Sequence, residues 1–325
     1  MTPEQQALQD AVRSLLTKHS NVREAMETGY DKNLWARLTD IGVLPIPEEY
    51  GGSGATTEET HIALEELGRT LTPSPLLATA IAAQALLSTP TPERRLLKKI
   101  ADGAVATLAW PWDNTHITEA TDHLTGTLRY VLEGDLAEIL LVTDGHHLYE
   151  LTPDQPGVTR EHTPTMDQTR RLATITLDNA PATRLGPWDP KIRTAAVAAL
   201  AAEQVGTAAK ALELTVEHTK TRVQFGKPIG QFQALKHRMA DMHVLVETAR
   251  SAAGAVTDET SAAVAKVYCS EALFQVAAEM VQLHGGIAIT WEHDAHLYFK
   301  RAHGSRQLFG GPRDHLERLS RIAHE

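Results

Sequence analysis

Cysteine is almost absent from this sequence: 325 residues contain one, Cys269. An intrachain disulfide is therefore excluded, and Cys269, set in an apolar helical pattern, reads as a buried packing thiol. Positive charge is also short. Lys and Arg number 31 against 41 Asp and Glu, a formal net charge of −10. The cations are scattered, which argues against a general nucleic-acid binder, whose affinity needs them clustered. No apolar run approaches the ~18 residues a membrane span needs. The first residues, Met1 to Val12, are polar and helical in pattern and do not resemble a signal peptide. The expectation is a cytoplasmic protein with no membrane and no nucleic-acid partner. No repeat of fixed period is visible and no segment has a disordered composition. The 16 histidines lack ligand spacing. His293 and His296 stand three apart, not in the H-E-x-x-H arrangement, and no third ligand is evident, so no metal is expected. The run from Trp291 to His296 reads instead as a helix start, with acidic residues suiting the helix dipole.

What is present divides by pattern. Residues 1–102 read as an N-terminal helical domain. Thr2 and Pro3 open a helix carrying Leu8, Val12, Leu15 and Leu16 on one face. Leu34, Leu38 and Ile41 mark another, ending at Gly42. Thr57-Glu58-Glu59 opens a third, and Leu76 to Leu87 form a buried one. Residues 103–186 change character. Strand-like pieces occur at 104–110, 123–131, 137–143, 147–152 and 171–178, with Asp144-Gly145 as a hairpin signal. They predict a small, mostly antiparallel β domain. Residues 187–325 return to helix, near 191–221, 232–256, 259–284 and 291–307, then after Pro312. Long helices with short connections predict a C-terminal bundle. The fold class is thus mainly α with a middle β domain.

One stretch organises the rest. Residues 218–237 lie between two long helical patterns, and Gly226, Pro228 and Gly230 reverse the chain there. The turn carries Arg222, Phe225, Lys227 and Gln233. Helix ends leave donors unpaired and Arg makes forked bonds to phosphate, so an anion site is one reading. A plain helical hairpin with a solvated basic turn is the other.

The pattern R-x-x-F-G-x-x-I-x-x-F-Q in this stretch resembles a signature of the acyl-CoA dehydrogenase family. Gln282-Leu283-His284-Gly285-Gly286-Ile287 resembles the family's Q-x-H-G-G-x-G motif, and Pro47 to Gly54 its P-x-x-Y-G-G-x-G loop. The order and rough spacing are also the family's, over nearly the whole chain. The resemblance implies the fold above and the cofactor FAD, with the flavin ring against one subunit's β domain and the ADP half on a neighbour's bundle. A carboxylate takes the α-proton of an acyl-CoA and the flavin takes a hydride from Cβ. Carried over, Arg222 would bond the pyrophosphate and Phe225 would pack near the adenosine half. Gln233 would contact the pyrophosphate region. Gln282, Gly285 and Gly286 would lie along the ADP moiety, the glycines letting backbone come close. The alternative for Gly285-Gly286 is an ordinary helix end.

The family's proton acceptor is missing. Gly310 stands where its Glu would be, and Pro312 and Asp314 replace the Thr and Gln that touch the flavin. The other position used for a base falls on Ala196. Neither residue can accept a proton. Asp314, Glu203 and Glu292 are weighed as replacements and none is expected to serve. In the β domain, Trp110-Pro111-Trp112-Asp113-Asn114 does not match the T-E-P-x-x-G-S-D loop. Tyr130 to Gly134 stands for W-I-T-N-G, with Leu132 in place of a flavin-bonding Thr and a negative charge at Glu133. These departures resemble the short subunits of heteromeric actinobacterial α2β2 enzymes that dehydrogenate steroid side-chain CoA esters. The expectation is a non-catalytic subunit that shares FAD with a catalytic acyl-CoA dehydrogenase partner in a heterotetramer, the acyl-CoA lying mainly on the partner. An electron-transfer flavoprotein is a further candidate partner. The alternatives are a self-sufficient flavoprotein with monooxygenase-like chemistry, or a purely structural partner.

Overall fold

The computed structural model describes residues 1–111, 116–322 and 324. The backbone forms two compact units: Met1–Ala63 with Thr72–Ala196, and Leu64–Leu71 with Val197–Glu325.

The first unit begins with α1 (Pro3–His19), α2 (Val22–Thr28) and α3 (Lys32–Ile41). Thr2 caps α1 in a full capping box with Gln5, and Gly42 ends α3 in the left-handed region, as the caps read from the sequence require. The Pro47–Gly54 loop holds a short 3-10 turn, Glu48–Tyr50. Gly52 is obligatory there, because a Cβ would lie 2.0 Å from the Ile46 carbonyl oxygen. Helix α4 (Thr57–Thr70) starts behind Thr56, whose hydroxyl accepts from Glu58 N–H while Glu59 reaches back to its N–H. Helix α5 (Leu76–Leu87) is buried almost all round, and α6 (Arg94–Ala101) follows.

Eight strands come next: β1 (Ala106–Ala109), β2 (Thr118–Ala120), β3 (His123–Leu132), β4 (Ile139–Thr143), β5 (His147–Leu151), β6 (Val158–His162), β7 (Leu172–Pro181) and β8 (Thr183–Pro187). They make two four-stranded sheets, in the orders β1-β4-β5-β8 and β2-β3-β7-β6. Among the described residues only the β1–β4 pairing of these sheets is parallel. Alternate residues of both sheets meet in one core that includes Leu124, Leu128, Leu140, Val142, Tyr149, Ile175 and Leu177, as period-two strands dictate.

The second unit takes most of α7 (Lys191–Thr221), then α8 (Gln233–Gly254), α9 (Glu259–His284), α10 (Ala295–Gln307) and α11 (Pro312–Ile322). A two-residue ribbon, β9 (Val223–Gln224) with β10 (Lys227–Pro228), links α7 to α8. Here α4 crosses α7 through glycines. A Cβ on Gly206 would sit 1.9 Å from Glu65 O, and one on Gly68 2.1 Å from Glu203 O. By length and composition the stretch Glu259–Ile289 could cross a membrane, although its apolar residues form no unbroken run. The bundle uses it as an inner helix, with Ala265, Cys269, Leu273, Val276 and Met280 buried. Burial pushes the Cys269 thiol up to about 12, the inert packing thiol expected.

Candidate functional site

Helix α7 ends at Thr221, and Arg222 N–H still donates to His218 O at 2.9 Å. The loop then closes on itself, Ile229 N–H donating to Arg222 O at 2.8 Å. At its tip Phe225 (φ 53°) and Gly226 (φ 78°) are both left-handed, the geometry a tight two-residue ribbon turn needs. For Phe this conformation costs about 1–2 kcal/mol, and its ring is 91% exposed. Its edge meets Phe232, over which Lys227 Nζ lies 4.4 Å from the ring centre. A strained, solvent-facing aromatic on a well-tied tip is where function is to be sought. Gln233 opens α8 and is exposed, and the Phe232 that precedes it caps nothing with its side chain.

Helix α9 ends nearby. Glu279 in its last turns accepts from Arg238 Nε of α8 at 2.6 Å. Gln282 is exposed, and Gly285 (φ 66°, ψ −148°) turns the chain out of the helix into a conformation that only glycine holds easily. Nothing lies within 4 Å of a Cβ built on Gly285 or Gly286. The backbone there is open to close approach by a ligand. Among the described residues Arg222 is exposed and makes no ion pair.

What joins the two turns is a column of imidazoles. His218, in the last turn of α7, stacks on His284, the last residue of α9, with ring centroids 4.2 Å apart and planes at 25°. His293, just before α10, lies 4.7 Å from His284 on a tilted plane. His284 Nδ1–H donates to Met280 O at 2.7 Å, and His293 Nδ1 accepts from Ala295 N–H at 3.0 Å. Burial holds His284 down to about 4. Arg222, Phe225, Gln233, Gln282, Gly285 and Gly286 thus stand on one end of the α7–α8–α9 group, all of them exposed. Sequence reading passed over His218. The one signal available was its place four residues before Arg222 on a helix.

The second predicted position is the turn from α10 to α11. Leu308 and Phe309 are buried, Phe309 has φ 65° and Gly310 φ 89°. A Cβ on Gly310 would meet His315 Nε2 at 3.2 Å, and that nitrogen donates to Phe309 O at 3.0 Å. Asp314 is engaged by Gly311 N–H at 2.8 Å. Glu203 is buried and salt-bridged to the buried Arg301, so a charged partner already holds it. Lys266, fully buried, donates to the last carbonyls of α10, Ser305 O at 2.7 Å and Arg306 O at 3.1 Å, favourable for the helix dipole. Glu292 is exposed in the turn before α10. Ala196 is completely buried on α7.

In the β unit, Leu132 is buried and its carbonyl accepts from Thr107 Oγ1 at 2.6 Å. Tyr130 (φ 58°) and Glu133 (φ 47°) are left-handed, and Glu133 is buried. The Trp110–Asn114 segment runs beyond the described residues from Trp112 on; Trp110 itself is buried 6.5 Å from the Trp188 ring. Of the two histidines weighed as ligands, His293 serves the α10 start, and His296 lies edge-on to Trp291 at 4.7 Å. Among the described residues no group of three His, Cys, Asp or Glu is arranged to hold a metal.

Comparison with known proteins follows the same lines. Residues 2–104 match the model "Acyl-CoA dehydrogenase, N-terminal domain" and residues 196–321 match "Acyl-CoA dehydrogenase, C-terminal domain". The chain is 45% identical to the acyl-CoA dehydrogenase IpdE2 of Mycolicibacterium smegmatis, covering 98% of each. Among solved structures it resembles the Tcur3481-Tcur3483 steroid ACAD G363A variant, with 32% identity, TM-score 0.88 and 99% and 98% of the two chains covered. It also resembles the ChsE4-ChsE5 complex from Mycobacterium tuberculosis, with 26% identity, TM-score 0.90 and 100% and 98% coverage. On matched domains, overall identity and shared architecture, this chain belongs to the acyl-CoA dehydrogenase family.

Proposed function

We propose that this chain is the non-catalytic subunit of a heteromeric acyl-CoA dehydrogenase and completes the FAD site of a catalytic partner. The observation that carries this reading is the α10–α11 turn, where Gly310 has no side chain and a left-handed backbone. α,β-Dehydrogenation needs a proton acceptor at Cα and a hydride acceptor at Cβ. Gly310 and Ala196 provide no proton acceptor, and Glu203 is already held by Arg301. The proton acceptor then belongs to the other chain.

The α7–α9 end fits the dinucleotide half of FAD. Among the described residues the Arg222 guanidinium has no ion-pair partner, which suits it to a forked bond with pyrophosphate. Gly285 and Gly286 expose bare backbone. Gln233 and Gln282 offer amide donors on either side, and Phe225 presents an apolar face for the adenosine half. FAD, when bound, supplies the redox chemistry; the residues of this chain bind and orient it. That all six are exposed suits a site closed by a second chain. A steroid-derived acyl-CoA, taken here to be a side-chain ester, is supported by the solved relatives, one of them a steroid ACAD and one a two-component complex. Electron-transfer flavoprotein as acceptor, a cytoplasmic setting, and the division into 1–102, 103–186 and 187–325 as folding units belong to the same proposal.

Co-expression with a full-length homologue that carries the Glu base tests the reading. The expected product is a yellow, active complex in which Arg222→Ala lowers flavin content, while this chain alone is colourless and inactive. A flavin-loaded, active homomer would overturn it. A purely structural partner would leave flavin content unmoved by Arg222→Ala.

A further inference from the structure

Three imidazoles meet beneath the Arg222 and Gly285 turns, and two of them are committed. His284 spends its Nδ1–H on Met280 O and is buried. His293 uses its Nδ1 lone pair to hold the first N–H of α10. Only His218 is half-buried with ring nitrogens that make no hydrogen bond among the described residues. Arg222 follows the last residue of α7 and its N–H donates to His218 O at 2.9 Å, so the two residues stand one helical turn apart.

The permanent charge that acts on His218 at this end of α7 is the Arg222 guanidinium. Burial is the largest cause that keeps it below the usual imidazole range, followed by His293 from the turn before α10 and by Arg222 just past the end of its own helix. The imidazole facing it from α9 is His284. The carboxylate nearest in sequence, Glu217, is paired with Lys220 at 2.6 Å. An anion at Arg222 would cancel the guanidinium's repulsion. A protonated His218 would then lie face to face on the neutral His284 ring, a cation–π arrangement.

We propose that His218 is the proton-linked second cation of this anion site and takes up a proton when the dinucleotide pyrophosphate binds beside Arg222. This deepens the FAD reading and rests on it. The proton comes from solvent and no bond in the ligand changes. By linkage, binding that raises the pKa of His218 tightens as pH falls through that raised value toward the lower value of the empty chain, and is flat above it.

The test uses the assembled complex stripped of flavin and titrated with FAD, whose pyrophosphate diester keeps two charges across this range. Calorimetry in buffers of different ionisation enthalpy counts protons. The expected result is fractional proton uptake on binding and an affinity that rises from pH 8 to pH 6, by at most about tenfold per pH unit for one proton. His218→Phe, which keeps a ring against His284 and cannot be charged, should lose the uptake and flatten the pH profile. As a measurement that needs no variant, the His218 resonance in ¹³C-histidine-labelled wild type should move to the protonated position when FAD is added at pH 7. Uptake unchanged in His218→Phe, or a His218 signal unmoved by FAD, would overturn the proposal while leaving the anion site standing. If Arg222→Ala binds FAD like wild type, the anion site itself falls, and this inference with it.

Discussion

Two turns of the helical unit invite comparison. The end of α7 through the start of α8, with the end of α9, is open: Arg222 is exposed, Phe225 is 91% exposed, and the glycines at 285 and 286 face empty space. The turn from α10 to α11 is closed. Leu308, Phe309 and His315 are buried, His315 bonds the Phe309 carbonyl, and Lys266 caps the helix before it. The first turn carries groups that would touch a ligand but no packing reason to keep them. The second has every reason to pack and nothing to react with. Packing within this unit does not account for the left-handed, exposed Phe225 or for the positive-φ turn at Gly285. A turn that spends its polar groups on its own backbone is built for stability.

The largest break in this contrast is expected from Arg222→Ala in the assembled complex. Loss of a charge-assisted bond to phosphate is worth about 1.5–3 kcal/mol, read as a flavin dissociation constant raised by one to two orders of magnitude, with the melting temperature of the flavin-free complex unchanged. Next comes Gly285→Ala. Its backbone suits only glycine, so about 1–3 kcal/mol of strain is expected, seen both as weaker flavin retention and as a lower melting temperature. At the closed turn, Gly310→Glu would place a side chain on a left-handed residue against His315. Destabilisation of about 1–2 kcal/mol and no gain of dehydrogenase activity in the isolated chain are expected; appearance of activity would show that the lost carboxylate was the only defect. The smallest effect concerns pH. His284, held down to about 4, favours the fold while neutral. Its contribution is fully present above the ordinary imidazole value of about 6.5 and is lost as pH falls toward 4, because the unfolded chain then binds the proton more readily. His284→Phe should flatten that part of the stability–pH curve measured by urea unfolding.

Much of the fold was legible because it rests on local rules. The bounds of α5 and the ends of α7 and α9 follow from runs of small and apolar residues, proline and glycine. Three strands of the β unit were missed, Thr118–Ala120, Val158–His162 and Thr183–Pro187, besides the two-residue ribbon β9–β10. Each is an outer strand of its sheet, so one side is unpaired and alternation is weak. The seven-residue α2 was missed because it has little periodicity to show. At the site, glycine and arginine motifs could be read in line. The stack of His218, His284 and His293 could not, since it joins residues up to 75 apart through tertiary packing. Nor did the sequence alone show that Glu203 is taken by Arg301, which turns a weighed carboxylate into a structural one.

The most direct measurement is flavin content and acyl-CoA turnover of this chain purified alone, beside the same chain co-purified with a partner that retains a Glu base. The account predicts a colourless, inactive protein alone and a yellow, active complex that loses its flavin with Arg222→Ala. Flavin bound and enoyl-CoA formed by the lone chain would contradict it.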